Sequence, residues 1–107
     1  MKIAEVTAEH IKFNNGFTIT YDHVQDCCEN NYADFEQLDD IAKSYNFDED
    51  LVFEAVPNSG FRFGNKSAMF FVPCYSEQNG YYSSEISIYY NRVRNLVLSF
   101  EAEEKTY

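Results

Sequence analysis

Apolar and polar residues alternate over much of the chain, and the period changes once. Lys2 to Thr7 reads as a short strand. Glu9 to Phe13 and Phe17 to Tyr21 flank Asn14-Asn15-Gly16. Asn-Gly supplies the positive φ angles of tight hairpin turns, so these two segments are expected to pair. Ile11 and Phe13, and then Phe17, Ile19 and Tyr21, alternate with polar residues, which predicts one buried face. After Glu29 the spacing becomes helical. Phe35, Leu38, Ile41, Ala42 and Tyr45 form a stripe, Asp34 with Gln37 resembles a capping box, and Asn46 supplies a stop. The expected element is an amphipathic helix of about three turns.

Alternation then returns. Leu51 to Val56 is an expected strand closed by Pro57-Asn58-Ser59-Gly60, and Phe61-Arg62-Phe63 is a second, ended by a turn at Gly64-Asn65-Lys66-Ser67. Ala68 to Tyr75 is the most apolar run. Its Met69-Phe70-Phe71-Val72 core predicts burial on both faces, Phe71 included, and Pro73 predicts an edge or bulge. Ser76 to Ser83 reads as a polar loop. Ile86, Ile88 and Tyr90 share one face of a strand over Glu85 to Tyr90, and Asn91 to Asn95 turns. Leu96, Leu98 and Phe100 share one face of the last strand, and 101–107 reads as a frayed tail. The expected fold is α+β, a single domain over 1–107. Its mostly antiparallel, twisted β-sheet has one amphipathic helix packed across it.

Composition sharpens this in two ways. Nine Tyr and ten Phe make the chain 18% aromatic, which favours a β-rich core. The net charge is −10, and its placement is uneven. From Asp22 to Glu54 there are 11 acids and one base, Lys43, giving −10; the remainder holds 7 of each, giving 0. Such a field disfavours nucleic acid and anionic membrane and favours a basic protein surface or cations. Three cysteines, two of them adjacent, form no disulfide framework, and Met1-Lys2-Ile3-Ala4-Glu5 lacks the apolar core of a signal peptide. A reducing cytosol is the expected compartment.

The densest chemistry lies in Asp22-His23-Val24-Gln25-Asp26-Cys27-Cys28-Glu29. Zinc could take His23, Cys27, Cys28 and Cys74 as four ligands. Against this, structural zinc sites space their paired cysteines by two to four residues, and adjacent cysteines diverge. The plainer reading puts one cysteine in the core and the other at the helix entry. Asp22, Asp26 and Glu29, or Asp48 and Asp50, could ligate a hard cation, but neither set has calcium-loop spacing. His23 and Cys27 are four apart, as a base and a nucleophile on a helix would be. The acidic surroundings would raise that thiol's pKa, and nothing nearby supplies an oxyanion hole. No catalytic set and no cofactor emerge.

Two blocks, His23-Val24-Gln25-Asp26-Cys27-Cys28-Glu29 with Leu38-Asp39-Asp40, and Ser76-Glu77-Gln78-Asn79-Gly80-Tyr81-Tyr82-Ser83, carry a resemblance. They resemble the signature of a small domain family of bacteriophage and bacterial proteins, His-x-Gln-Asp-Cys-Cys-Glu and Ser-x-x-Asn-Gly-Tyr-Tyr-Ser. The similarity runs from about Ile11 to Tyr90, and Ser44 to Gly64 departs from the pattern. The resemblance implies a phage source and a bacterial host cytosol, and supplies no activity.

The leading expectation is a small acidic interaction protein that binds a host or phage macromolecule as an inhibitor or nucleic-acid mimic. Its candidate contact residues are Glu36, Asp39, Asp40, Asp48 and Asp50, with Tyr81 and Tyr82 as a second patch. The bland counterpart is a solvated acidic face and a turn whose tyrosines pack back on the sheet. The alternatives are a metal- or thiol-dependent site at His23, Cys27 and Cys28, and small-ligand binding between that turn and the Asn79 to Tyr82 loop.

Overall fold

In a computed structural model the chain forms two mostly antiparallel sheets that share one core. The structure describes residues 1–22, 30–78, 84–91 and 95–106. The first sheet contains β1 (Ile3–Val6), β2 (His10–Phe13), β3 (Thr18–Asp22), β8 (Glu85–Asn91) and β9 (Asn95–Glu101), in that order. The second contains β5 (Val52–Val56), β6 (Gly60–Asn65) and β7 (Ala68–Gln78), with β4 (Asn30–Ala33) and β10 (Glu103–Thr106) also on β7. A 3-10 turn (Phe35–Gln37) and a short helix α1 (Asp40–Ser44) link β4 to β5.

The expected α+β fold is therefore corrected to a small, mainly β fold of two sheets. In place of a helix of three turns there is a break at Leu38 and Asp39, both extended at ψ 136° and 135°. Asp34 makes no side-chain cap; Asp39 does, its Oδ1 accepting from the Ile41 N–H at 3.0 Å. A helix this short is marginal alone, and the stronger cap decides where it starts. It ends at Ser44 because Tyr45 and Phe47 must alternate into the aromatic core, and alternation needs an extended chain. Phe35, Leu38 and Ala42 are buried as the stripe requires, whereas Ile41 is 66% exposed.

The sequence-read hairpins form. Gly16 alone takes a positive φ, +90°, and its N–H donates to the Phe13 carbonyl at 3.1 Å. The connection is the three residues Asn14-Asn15-Gly16 that the two segments were read to flank, with the positive φ at Gly16 and not at Asn15. At the β5–β6 turn Asn58 sits at φ +63° after Pro57, the pattern of a type II turn. Gly60 and Gly64 are fixed by close approach. A Cβ on Gly60 would overlap the Val72 carbonyl oxygen, and one on Gly64 that of Ala68.

β7 runs past its expected end and takes in part of the anticipated polar loop. Its first half pairs with β6; Cys74 to Gln78 pair with β4 or β10 or both. Pro73 lies at this handover, where its missing N–H breaks no ladder bond and its carbonyl accepts from the Asp34 N–H at 2.8 Å. β4 was not anticipated, because Asn30 and Asn31 look like loop residues. Asn31 is buried and accepts a hydrogen bond from the Ser76 hydroxyl. The expected frayed tail instead adds β10 to β7, the one parallel pairing among the described strands.

Two apolar positions face the other way from expectation. Phe71 is 40% exposed, because Phe61, Phe63, Val72 and Cys74 take the inner face. Leu96 is 59% exposed: the ladder shifts between Ile88 and Tyr89, so Leu96 pairs with outward Tyr89 instead of continuing the Leu98 and Phe100 face.

The core is aromatic. Phe47 touches Phe13 of the first sheet and Phe63 and Phe70 of the second, at centroid distances of 5.7, 5.7 and 5.6 Å. Phe61 meets Phe100, and Phe53 meets Tyr90. Truncating buried Phe63 or Phe47 to Ala should cost about 3–5 kcal/mol, and Phe71→Ala well under half of that. Urea denaturation midpoints of the three variants check the ranking; a Phe71→Ala loss equal to that of Phe63→Ala would contradict the assigned faces.

Candidate functional site

The acidic stretch does not form one surface feature. Its first part follows β4. Asp34 accepts a hydrogen bond from Gln37 Nε2 at 2.6 Å, and Gln37 also reaches the Tyr75 hydroxyl at 3.4 Å. The backbone is held because the Asp34 N–H donates to Pro73, so β7 fixes where this carboxylate stands. Asp34, Glu36 and Glu77, with Tyr21 and Tyr32, line a depression of about 320 Å³. Tyr32 donates its hydroxyl to Glu77 Oε1 at 2.9 Å. Desolvation first, and then that carboxylate, push the Tyr32 pKa up to about 12. Burial, with Glu9 nearby, raises that of Tyr21.

The second part is the Asp48-Glu49-Asp50 turn before β5. Asn65, at the end of β6, clamps it. Its Oδ1 accepts from the Asp48 N–H at 2.8 Å, and its Nδ2 donates to the Asp48 and Asp50 carbonyls at 3.5 and 3.4 Å. Tyr90 donates to the Glu49 carbonyl at 2.7 Å, and Asn15 Nδ2 donates to Glu49 Oε1 at 3.1 Å. The turn borders a depression of about 570 Å³ with Val52, Asn65, Lys66 and Ser67 on its other sides. Burial, reinforced by Glu49 and Asp50, pushes the Tyr90 hydroxyl far above its usual range. It therefore stays a donor to that carbonyl.

Each sequence-read residue can now be placed. Glu36 lines the first depression; Asp48 and Asp50 line the second. Asp39 caps α1 and Asp40 pairs with Lys43 at 3.0 Å, so both have local structural roles. Cys74 is fully buried beside Ala33, its thiol directed at the Val72 carbonyl at 3.8 Å. Burial and nearby Asp34 push its pKa well above the thiol range. His23, Cys27 and Cys28, and likewise Tyr81 and Tyr82, lie outside the described residues. Among the described residues no group of three or more His, Cys, Asp or Glu is arranged to hold a metal ion.

Sequence reading missed Tyr32, Glu77 and Asn65. Tyr32 and Glu77 meet only because β4 pairs with β7, a pairing that no local pattern announces. Asn65 had a visible signal, since a Gly-Asn pair at a turn offers a side chain suited to bonding backbone groups. No family model, curated protein or solved structure matches the chain. Function must accordingly be argued from these residues.

Chemically, both depressions present hydrogen-bond acceptors. Among the described residues the groups with a displaced pKa, Tyr21, Tyr32, Tyr90 and Cys74, are displaced towards the neutral form, the opposite of an activated nucleophile. Exposed carboxylates beside rigid tyrosines suit ammonium or guanidinium groups, through charge-assisted hydrogen bonds and ring contact.

The tyrosine shifts set an alkaline limit on stability. Tyr32 has a folded pKa above its unfolded one, so its contribution is complete below about pH 10 and is lost as the pH rises towards 12. Tyr32→Phe should therefore flatten the fall in stability over that window. Urea midpoints at stepped alkaline pH measure it, and an identical slope in the variant would contradict the assignment.

Proposed function

We propose that this chain is a small acidic interaction protein that binds the basic surface of a macromolecular partner through the carboxylates between Asp34 and Glu54. The observation that carries the reading is their exposure. Eight carboxylates and one lysine lie in that span, and seven of the eight are exposed. Among the described residues only two of them form an ion pair, Asp40 with Lys43 and Glu54 with Arg62. Self-repulsion of this kind costs stability and raises the rate of encounter with a positive surface.

The proposal includes a phage origin, action in a bacterial cytosol, and inhibition of the partner by imitating a run of phosphates. The support is the charge distribution together with the resemblance of the two sequence blocks. Among the described residues no helix is long and apolar enough to cross a membrane. The spread of carboxylates over two depressions suits a partner surface better than a single small ligand.

The structure also determines which variant tests the reading. Reversing Asp39 would remove the cap of α1, so the informative substitution is Glu36→Lys, Asp48→Lys and Asp50→Lys together. Each exposed pair is worth only about 0–1 kcal/mol, so single changes should be mild and the triple change cumulative. Retained fold by circular dichroism, with association to a basic bait such as polylysine slowed most at low ionic strength, is the expected result. Unchanged association across a salt series would mean that these carboxylates are merely solvated.

A further inference from the structure

The β5 strand is an edge with unusual surroundings. It pairs with β6 on one side, in register from Val52 opposite Gly64 to Val56 opposite Gly60. No described strand pairs with it on the other side. The Asp48-Glu49-Asp50 turn leads into it, with exposed carboxylates that carry no ion pair among the described residues; Glu54 at its centre is exposed and paired with Arg62 of β6, and Val52 is 47% exposed. An edge strand offers unpaired N–H and C=O groups to any extended chain that can approach it.

We propose that β5 is the docking edge for an extended basic segment of the partner, which adds to the second sheet as a further strand. This deepens the acidic-surface reading and rests on it. Main-chain hydrogen bonds supply affinity in such strand addition, and alternate side chains supply selectivity. Val52 and Glu54 share the outer face of β5, so alternation calls for cationic residues on that face, beside Glu54 and the Asp48 to Asp50 turn, and apolar residues on the face of Phe53 and Ala55.

Charge identifies the occupant. A second copy pairing antiparallel in full register would set Glu54 opposite Glu54, and like charges directly opposite are destabilising. Two chains of net charge −10 also repel at longer range. A lysine- or arginine-bearing strand meets neither penalty. The same carboxylates keep neutral and acidic strands away, which gives the edge selectivity as well as protection from aggregation.

The test uses the intact protein and a fluorescent peptide of alternating Lys and Val, beside the same peptide N-methylated at alternate backbone nitrogens. The expected result is saturable binding of the first and at least about tenfold weaker binding of the second. Amide exchange across Val52 to Val56 should slow in the complex. Glu54→Lys should weaken the Lys-Val peptide and admit a Glu-Val one; if that variant fails to fold, the backbone-methylation comparison on the native protein still decides. Equal binding of both peptides with unchanged exchange at β5 would overturn strand addition while leaving the acidic surface standing. Absence of any binding to basic peptides at low salt would overturn both. A concentration-dependent dimer with β5 already protected would overturn the proposal in favour of a second copy.

Discussion

The seam of aromatic rings between the two sheets is the contact on which the rest of the structure depends. Phe47 is its centre, buried against Phe13, Tyr45, Phe63 and Phe70, although it belongs to neither sheet. It comes from the connector, so the connector's conformation is dictated by the ring it must deliver. Three of these contacts are edge-on, with interplanar angles of 63–79°, as ring quadrupoles prefer. Burying a side chain of this size contributes about 1.5–3 kcal/mol by transfer alone, enough to offset the one or two helical bonds, about 0.5–1.5 kcal/mol each, lost by stopping α1 early.

That hierarchy explains what could be read from the sequence. Period-two patterns located β2, β3, β5, β6 and β8 because each strand's inner face is set by its own residues: Ile11 and Phe13, or Ile86, Ile88 and Tyr90. The helix failed because its stripe was real while its continuity was not. Phe35, Leu38 and Ala42 do reach the core, but by way of two short turns. The inward positions of Phe71 and Leu96 failed for a different reason. One lost the inner face to its neighbours in β7, and the other was turned outwards by a ladder shift. Neither event leaves a trace in local composition. The acidic segment was legible as charge, and its division between two depressions was not, because Glu77 and Asn65 arrive from β7 and β6.

Core and surface chemistry are coupled through a few polar groups. Tyr90 packs its ring against Phe13, Phe17 and Phe53 and spends its hydroxyl on the Glu49 carbonyl. One residue of the aromatic seam thus holds the acidic turn from below. Asn65 holds the same turn from the side, by bonds to the main chain rather than to the carboxylates. The carboxyl groups of Asp48 and Asp50 stay exposed while the backbone beneath them is fixed.

This division of labour bears on how a flexible-looking acidic loop could recognise anything. Carboxylates on a mobile loop lose side-chain and backbone entropy when they engage a partner, and that cost offsets much of the weak attraction of an exposed ion pair. In this fold the backbone ordering is completed on folding, by Asn65 and Tyr90 at the turn and by the Asp34 to Pro73 bond at the other depression. What is left for a binding event is the rotamer freedom of the acids themselves. On the proposed reading the net charge would set the rate of encounter, and the fixed spacing of the carboxylates would set which basic surface fits. On the proposed acidic-surface reading, these clamps beneath exposed carboxylates lower the ordering cost of engaging a basic partner.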